Sequence, residues 1–266
     1  MITQEIGEGR PLVLIHGFGV DSRILRTLEN IVDFSGWRRI YLDLPWTARG
    51  LNPAATSATA VLHLAEKEIQ AHLGNERYAL IGNSFGAMIA RSLAHRHTTL
   101  GLATLAGVFE PDAQKRNLPE KTVLFTEPST TDSSLLVAPQ DHQDEFTDIS
   151  VIHNEQNFQR FHQHVLPGIL EADPGIMQEI ATRYVIEPVP EEAATEPYSA
   201  PSLHIFGRQD HIVGFKDGLA WLDHYTRGTF AVLDTAGHNL HLEQPQLVKA
   251  LLENWLARLA NQPERF

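Results

Sequence analysis

The sequence predicts an α/β fold: a mostly parallel β-sheet flanked by helices, with a helical cap inserted late in the strand order. Three observations predict it. Short β-branched and aliphatic runs bounded by Gly, Pro or Asp alternate with stretches of helical periodicity, the pattern of parallel strands joined by crossover helices. Two of these runs, Leu12-Val13-Leu14-Ile15 and Ala79-Leu80-Ile81, are nearly continuous in apolar side chains, as strands buried on both faces require. The alternation lapses between about Glu110 and Ala200 and then resumes.

Strands are expected at Leu12 to Ile15, Arg39 to Leu42, Tyr78 to Ile81, Gly101 to Leu105, Ser202 to Phe206 and Thr229 to Leu233. Between them, Ala58 to Leu73 places Val61, Leu62, Ala65, Ile69 and Leu73 on one stripe at spacings of three and four, so it reads as an amphipathic helix. Ala87 to His95 is also compatible with a helix. The closing helix, Pro245 to Leu259, is expected to dock on the sheet through Leu247, Leu251, Trp255 and Leu259. Residues 111–199 read as a helical cap dividing a core of residues 1–110 and 200–266; no buried strand is expected there. Its helices are Asn154 to Val165 and Pro174 to Val185, and the acidic, Pro-rich stretch Glu187 to Pro201 reads as a solvated return linker.

Composition narrows the function classes. With 266 residues, 42% apolar and 20% charged, the chain can bury a substantial core, which excludes a disordered protein. Twenty-one Lys and Arg against 33 Asp and Glu give a net charge of −12, which repels phosphate backbones and anionic membranes. A small-molecule partner is expected, with no nucleic acid and no membrane. The absence of cysteine excludes disulfides, thiolate-held metals and a cysteine nucleophile. Met1 to Gly7 lacks the basic start and apolar run of a signal peptide, and no apolar run approaches the roughly 20 residues of a membrane span, so a cytoplasmic location is expected. His162 and His164 are two apart, point to different faces of a helix, and are not read as metal ligands. No metal or organic cofactor is expected.

The chemistry concentrates in Gly82-Asn83-Ser84-Phe85-Gly86, which follows an expected strand and precedes an expected helix. A Gly-x-Ser-x-Gly turn in that context needs small flanking residues because the strained backbone thrusts the hydroxyl outward. The helix start leaves the Phe85 N–H free to face an oxyanion, and His16-Gly17-Phe18-Gly19, directly after the first expected strand, offers the Phe18 N–H as a second donor. His16 itself is expected to brace that loop. A serine nucleophile needs a base oriented by a carboxylate. His238 and Asp210 each follow a late strand and supply the order Ser, Asp, His; Glu110 or Asp112 is the rival acid and His241 the rival base. Trp46 and Phe109 are candidates for the substrate pocket.

With these residues in place, the sequence resembles the α/β-hydrolase superfamily, in particular its cap-bearing members related to esterases and carbon–carbon bond hydrolases. The resemblance covers roughly residues 1–110 and 200–260 and implies Ser84 as nucleophile, Asp210 as acid and His238 as base. Three departures stand out: Trp46 where the loop after the second strand commonly has glycine, Gly214 where a proline is usual after the acid, and an N-terminus so short that the family's first strand is expected to be missing. The serine argues against the dehalogenase and epoxide-hydrolase branches. The leading expectation is a serine hydrolase acting on an ester-like bond of a small molecule. Hydrolysis of a carbon–carbon bond in a dienoic or diketone substrate is the alternative, and a non-catalytic small-molecule receptor the third.

Overall fold

Seven of the nine strands formed among the described residues make one sheet. The computed structural model describes residues 1–127 and 142–261. In chain order the strands are β1 (Ile2–Ile6), β2 (Arg10–Ile15), β3 (Trp37–Leu42), β4 (Ala79–Asn83), β5 (Gly101–Leu105), β6 (Phe125–Thr126), β7 (Ile152–His153), β8 (Ser202–Gly207) and β9 (Gly228–Leu233). The main sheet runs β1-β3-β2-β4-β5-β8-β9, and β6 and β7 pair separately. Every pairing in the main sheet is parallel except that of β1 with β3. Residues 12–15 of β2 and all of β4, β5 and β8 are buried, which is why residues 12–15 and 79–81 are apolar without alternation; Thr104 of β5 and His204 of β8 are buried as a hydrogen-bonded pair at 2.9 Å.

All six expected strands are present, and the fold class is the expected one. No strand is expected before Leu12, yet β1 forms there at the sheet edge. Its Thr3, Gln4 and Glu5 carry no apolar signal because one side of an edge strand faces water. Among its described residues the insertion contributes only the two-residue β6 and β7, exposed and half-buried respectively.

Helices cover the sheet. A short α1 (Arg23–Arg26) precedes α2 (Ala58–Leu73), whose bounds match the sequence reading. Ser57 caps α2 by accepting the Ala60 N–H at 3.1 Å, a partner for one of the donors that a helix start leaves open. Next comes α3 (Phe85–Arg96), packed over β4 and β5. The insertion holds α4 (Gln143–Ile149), α5 (Glu155–His164), α6 (Leu166–Glu171), α7 (Pro174–Thr182) and α8 (Pro190–Ala193). Asn154 and Asp173 cap α5 and α7 through their side-chain oxygens. The α7 helix stops short of Val185 because the Arg183 carbonyl turns away to accept the Ala58 N–H at 2.9 Å. The chain closes with α9 (Lys216–Leu219), α10 (Leu240–Glu243) and α11 (Pro245–Ala260).

Two expectations are corrected. The buried face of α11 is Val248, Leu252, Trp255, Leu256 and Leu259, whereas Leu247 is 49% exposed. Each four-residue step overshoots a full turn by about 40°, so a stripe spaced by fours drifts off the contact face. The acidic return segment is also not wholly solvated: the Glu191 side chain is fully buried. Arg91 donates from Nε to Glu191 Oε1 at 2.7 Å and pairs with Oε2, while the Tyr225 hydroxyl donates to the same carboxylate. Burial is the largest single influence and would raise this carboxyl, but the charge of Arg91 and the hydrogen bonds from Arg91 and Tyr225 together outweigh it and hold the group down at about 2.

That pair ties α8 to α3. Replacing Glu191 by Gln would leave the Arg91 guanidinium buried without its counter-charge, an expected loss of about 3–5 kcal/mol in a urea or thermal melt. The folded carboxyl lies below its ordinary value of 4.5. Its contribution is therefore complete above about pH 4.5 and is lost as pH falls toward 2, so the Gln variant should lose that part of the acid dependence.

Candidate active site

Strand order determines where a site can form. From β2 the chain moves outward to β3 and then crosses back to β4, so β2 and β4 are neighbours whose following loops diverge, leaving a crevice at their carboxyl ends. Ser84 follows β4 and Phe18 follows β2; Ile15 and Gly82 are paired across the two strands. Asp210 and His238 follow β8 and β9, which are likewise neighbours.

The turn at Ser84 has φ 52° and ψ −115°, a conformation that L-residues rarely adopt. Crowding explains the flanking glycines: a Cβ on Gly86 would lie 2.1 Å from the Ile15 carbonyl oxygen, and one on Gly82 would lie 2.5 Å from that of Gly86. The Ser84 N–H donates to the Leu105 carbonyl at 3.0 Å, and the Ser84 carbonyl accepts from Ala87 and Val108. Asn83 adds a donation from Nδ2 to the same Leu105 oxygen at 3.1 Å.

Ser84, His238 and Asp210 come together in line. Ser84 Oγ and His238 Nε2 are 2.9 Å apart, and His238 Nδ1 lies 3.0 Å from Asp210 Oδ2. Because a carboxylate can only accept, Nδ1 carries the proton and Nε2 presents its lone pair to the serine hydroxyl. Asp210 is fully buried, and its Oδ1 accepts the N–H groups of Ile212 and Val213 at 2.9 and 3.1 Å. Ser84 is 7% exposed. The rivals lie elsewhere: Glu110 accepts from the Asp112 N–H, and Asp112 from the Gln114 N–H. Burial pushes the His241 imidazole down to about 4, so it stays neutral in the core. Gly214 has φ +70° and abuts the Asn117 carbonyl, which accounts for a glycine after the acid.

Around the serine, the loop after β2 is braced as expected. His16 donates from Nδ1 to the Gly17 carbonyl at 2.8 Å and accepts the Leu44 N–H at Nε2. That arrangement uses the neutral ring, and burial, only partly opposed by Asp43, lowers its basicity. Phe18 and Phe85 sit beside each other with ring centroids 5.7 Å apart. Trp46 is fully buried behind both, its indole N–H donated to Val20. Phe109 does not join this group. Its ring packs under the Arg91 guanidinium and against His204 and Phe206, because the chain after β5 turns it into the core.

The fold adds two residues that sequence reasoning missed. Tyr184, after α7, lays its ring against Phe18 and Phe85, and burial raises its hydroxyl to about 12. Glu243 accepts the N–H of Gly237, next to His238. Neither carries a local signal, since both roles arise from contacts far along the chain. A crevice of about 360 Å³ opens beside Phe18 and Gly19, bounded by Ile169, Ala172, Met177 and Ala181. A larger cavity of about 960 Å³, lined by Arg77, Thr99, Ala200 and Arg227, lies at the amino ends of the strands, away from Ser84. Among the described residues no helix is long and apolar enough to cross a membrane.

The profile of the alpha/beta hydrolase family matches residues 12–251. A 2-hydroxymuconate semialdehyde hydrolase from Pseudomonas sp. (strain CF600) is 25% identical over 268 residues, covering 94% of this chain and 88% of that protein. Among solved structures, an alpha/beta superfamily hydrolase from Oenococcus oeni PSU-1 is similar with a TM-score of 0.88 and 24% identity, over 97% of this chain and 96% of that one. A thermophilic esterase from Thermogutta terrifontis is similar with a TM-score of 0.71 and 22% identity, over 96% and 92% of the two chains. These structural likenesses concern the fold. Together with a profile match running from β2 into α11, they make this chain a member of the alpha/beta hydrolase family.

Proposed function

We propose that this protein is a serine hydrolase cleaving an ester-like bond of a small molecule through an acyl-enzyme on Ser84. One observation carries the reading: the continuous hydrogen-bond line from Asp210 through His238 to Ser84, ending on a strained turn. In this scheme His238 takes the serine proton as Oγ attacks the carbonyl carbon. Asp210 holds the tautomer and offsets the imidazolium charge that follows. The backbone N–H groups of Phe18 and Phe85 face the developing oxyanion, each contributing about 3 kcal/mol to the transition state. His238 then returns the proton to the leaving group, and water, deprotonated by the same imidazole, releases the acid.

We propose further that residues 111–199 serve as a cap that shapes the pocket. This is supported by the Asp173 N–H donated to the Trp46 carbonyl at 2.8 Å, by Tyr184 against Phe18 and Phe85, and by Met177 beside Gly19. The crevice there is mainly apolar, with Gln178 among its lining residues, which suits a short or medium aliphatic or aryl acyl group.

Carbon–carbon bond hydrolysis is the second reading, favoured by the similarity to a 2-hydroxymuconate semialdehyde hydrolase. A dienoic ketone turned over strongly, with p-nitrophenyl esters turned over weakly, would select it. Failure of a fluorophosphonate to label Ser84 in folded protein would instead favour a receptor.

Replacing Ser84 by Ala should lower kcat on p-nitrophenyl esters by on the order of 10⁵ to 10⁶ with the circular dichroism spectrum unchanged; retained turnover would sink the assignment. Asp210→Asn should cost about 10⁴ in kcat, while Glu110→Gln and Asp112→Asn should stay within about twofold. Met177→Ala enlarges the crevice and should shift the ester chain-length optimum toward longer acyl groups; an unmoved optimum would place the acyl group elsewhere.

A further inference from the structure

Glu243, the last residue of α10, is a buried titratable group that the proposed chemistry leaves unused. It is 7% exposed. Its Oε2 accepts the N–H of Gly237, the residue before His238, at 2.6 Å. Its Oε1 accepts the N–H groups of Val151 and Ile152 at 2.6 and 3.3 Å. Burial raises this carboxyl above its ordinary range, three backbone N–H groups oppose that rise, and the neighbouring Asp210 charge adds to it. A carboxylate out of water needs such donors. Here they come from two segments far apart in sequence, the His238 loop and residues 151–152 of the insertion.

Two independent contacts join the same parts. The Gly237 backbone is pressed against the insertion so closely that a Cβ there would lie 2.8 Å from Val151 Cγ2 and 3.1 Å from the Ile149 carbonyl oxygen. From the other side, Arg160 of α5 donates to the Leu242 carbonyl at 2.7 Å. The His238 loop therefore has little freedom to shift without the insertion.

We propose that Glu243 is a positioning residue: its carboxylate registers the His238 loop against residues 151–152, so that the seating of residues 149–152 determines the 2.9 Å contact between His238 and Ser84. This rests on the reading of Ser84 and His238 as the reacting pair. Glu243 does not line the crevice beside Phe18, so its loss acts on turnover rather than on binding. A displacement of about 1 Å at a reacting group is worth roughly 100-fold in rate.

The test is Glu243→Gln in the full chain, a near-isosteric change that keeps one acceptor but turns an amide NH₂ toward the backbone N–H groups. With a p-nitrophenyl ester, kcat per fluorophosphonate-titrated site should fall roughly 30- to 100-fold with KM within about twofold. The low-field proton resonance of His238 Nδ1 should shift or broaden. A lower melting temperature with kcat per titrated site and the resonance unchanged would make Glu243 merely structural and overturn the proposal. Should the Gln variant not fold, Gly237→Ala retains the carboxylate but pushes the loop off Val151. It should show the same loss of kcat, partly restored by adding Val151→Ala; wild-type kcat in Gly237→Ala would overturn the proposal. Turnover surviving in Ser84→Ala defeats the catalytic reading itself, whereas wild-type kcat in Glu243→Gln beside an inactive Ser84→Ala defeats only this inference.

Discussion

The close approach of α3 to the loop after β2 is the constraint on which the candidate site depends. A methyl group at residue 86 would sit within 2.1 Å of the Ile15 carbonyl oxygen, so the helix can begin where it does only because that residue is glycine. The resulting turn forces Ser84 to a positive φ, a conformation costing about 1–3 kcal/mol that persists only where surrounding contacts over-determine it. Those contacts are present: the Ser84 N–H is held by Leu105, and its carbonyl is held by Ala87 and Val108. Strain stored in the turn is what projects Oγ away from the sheet.

From that turn the parallel sheet does the collecting. Parallel strands deliver every following loop to one edge, so segments that begin at Phe18, Ser84, Asp210 and His238 meet although they are spread over most of the chain. The pairings of β2 with β4 and of β8 with β9 bring the four together as two adjacent pairs. Charges buried around them are each matched by partners: Asp210 by two backbone N–H groups and His238, Glu243 by three backbone N–H groups, and Glu191 by Arg91. The Arg91–Glu191 pair has a structural consequence at the site, since it fastens the end of the insertion to the helix that begins just after Ser84. Breaking it would loosen both at once.

Local chemistry in the sequence was enough to determine six of the seven strands of the main sheet, where α2 begins and ends, and which turn carries the serine. Apolar runs, four-residue periodicity and glycines at fixed offsets all act within a few residues, and so they survive in a linear reading. The candidate acid and base were legible for the same reason, each standing in a short loop after a late strand. Edge strand β1 was not, because a strand paired on one side only needs no apolar pattern, and the face of α11 drifted because a spacing of four only approximates the helical repeat.

Tertiary structure alone decided the rest. Glu191 reads as one more acidic residue in a polar stretch, yet it is buried because Arg91, one hundred positions earlier, waits for it. Phe109 reads as a pocket aromatic, yet it turns inward onto Arg91 and His204; Tyr184 and Glu243, silent in the sequence, stand against the serine turn and the histidine loop. The physical reason is common to all four. Whether a polar or aromatic side chain is buried, and against what, depends on partners brought close only after the sheet has formed. Periodicity and turn chemistry, which operate over a few residues, carry no information about such partners.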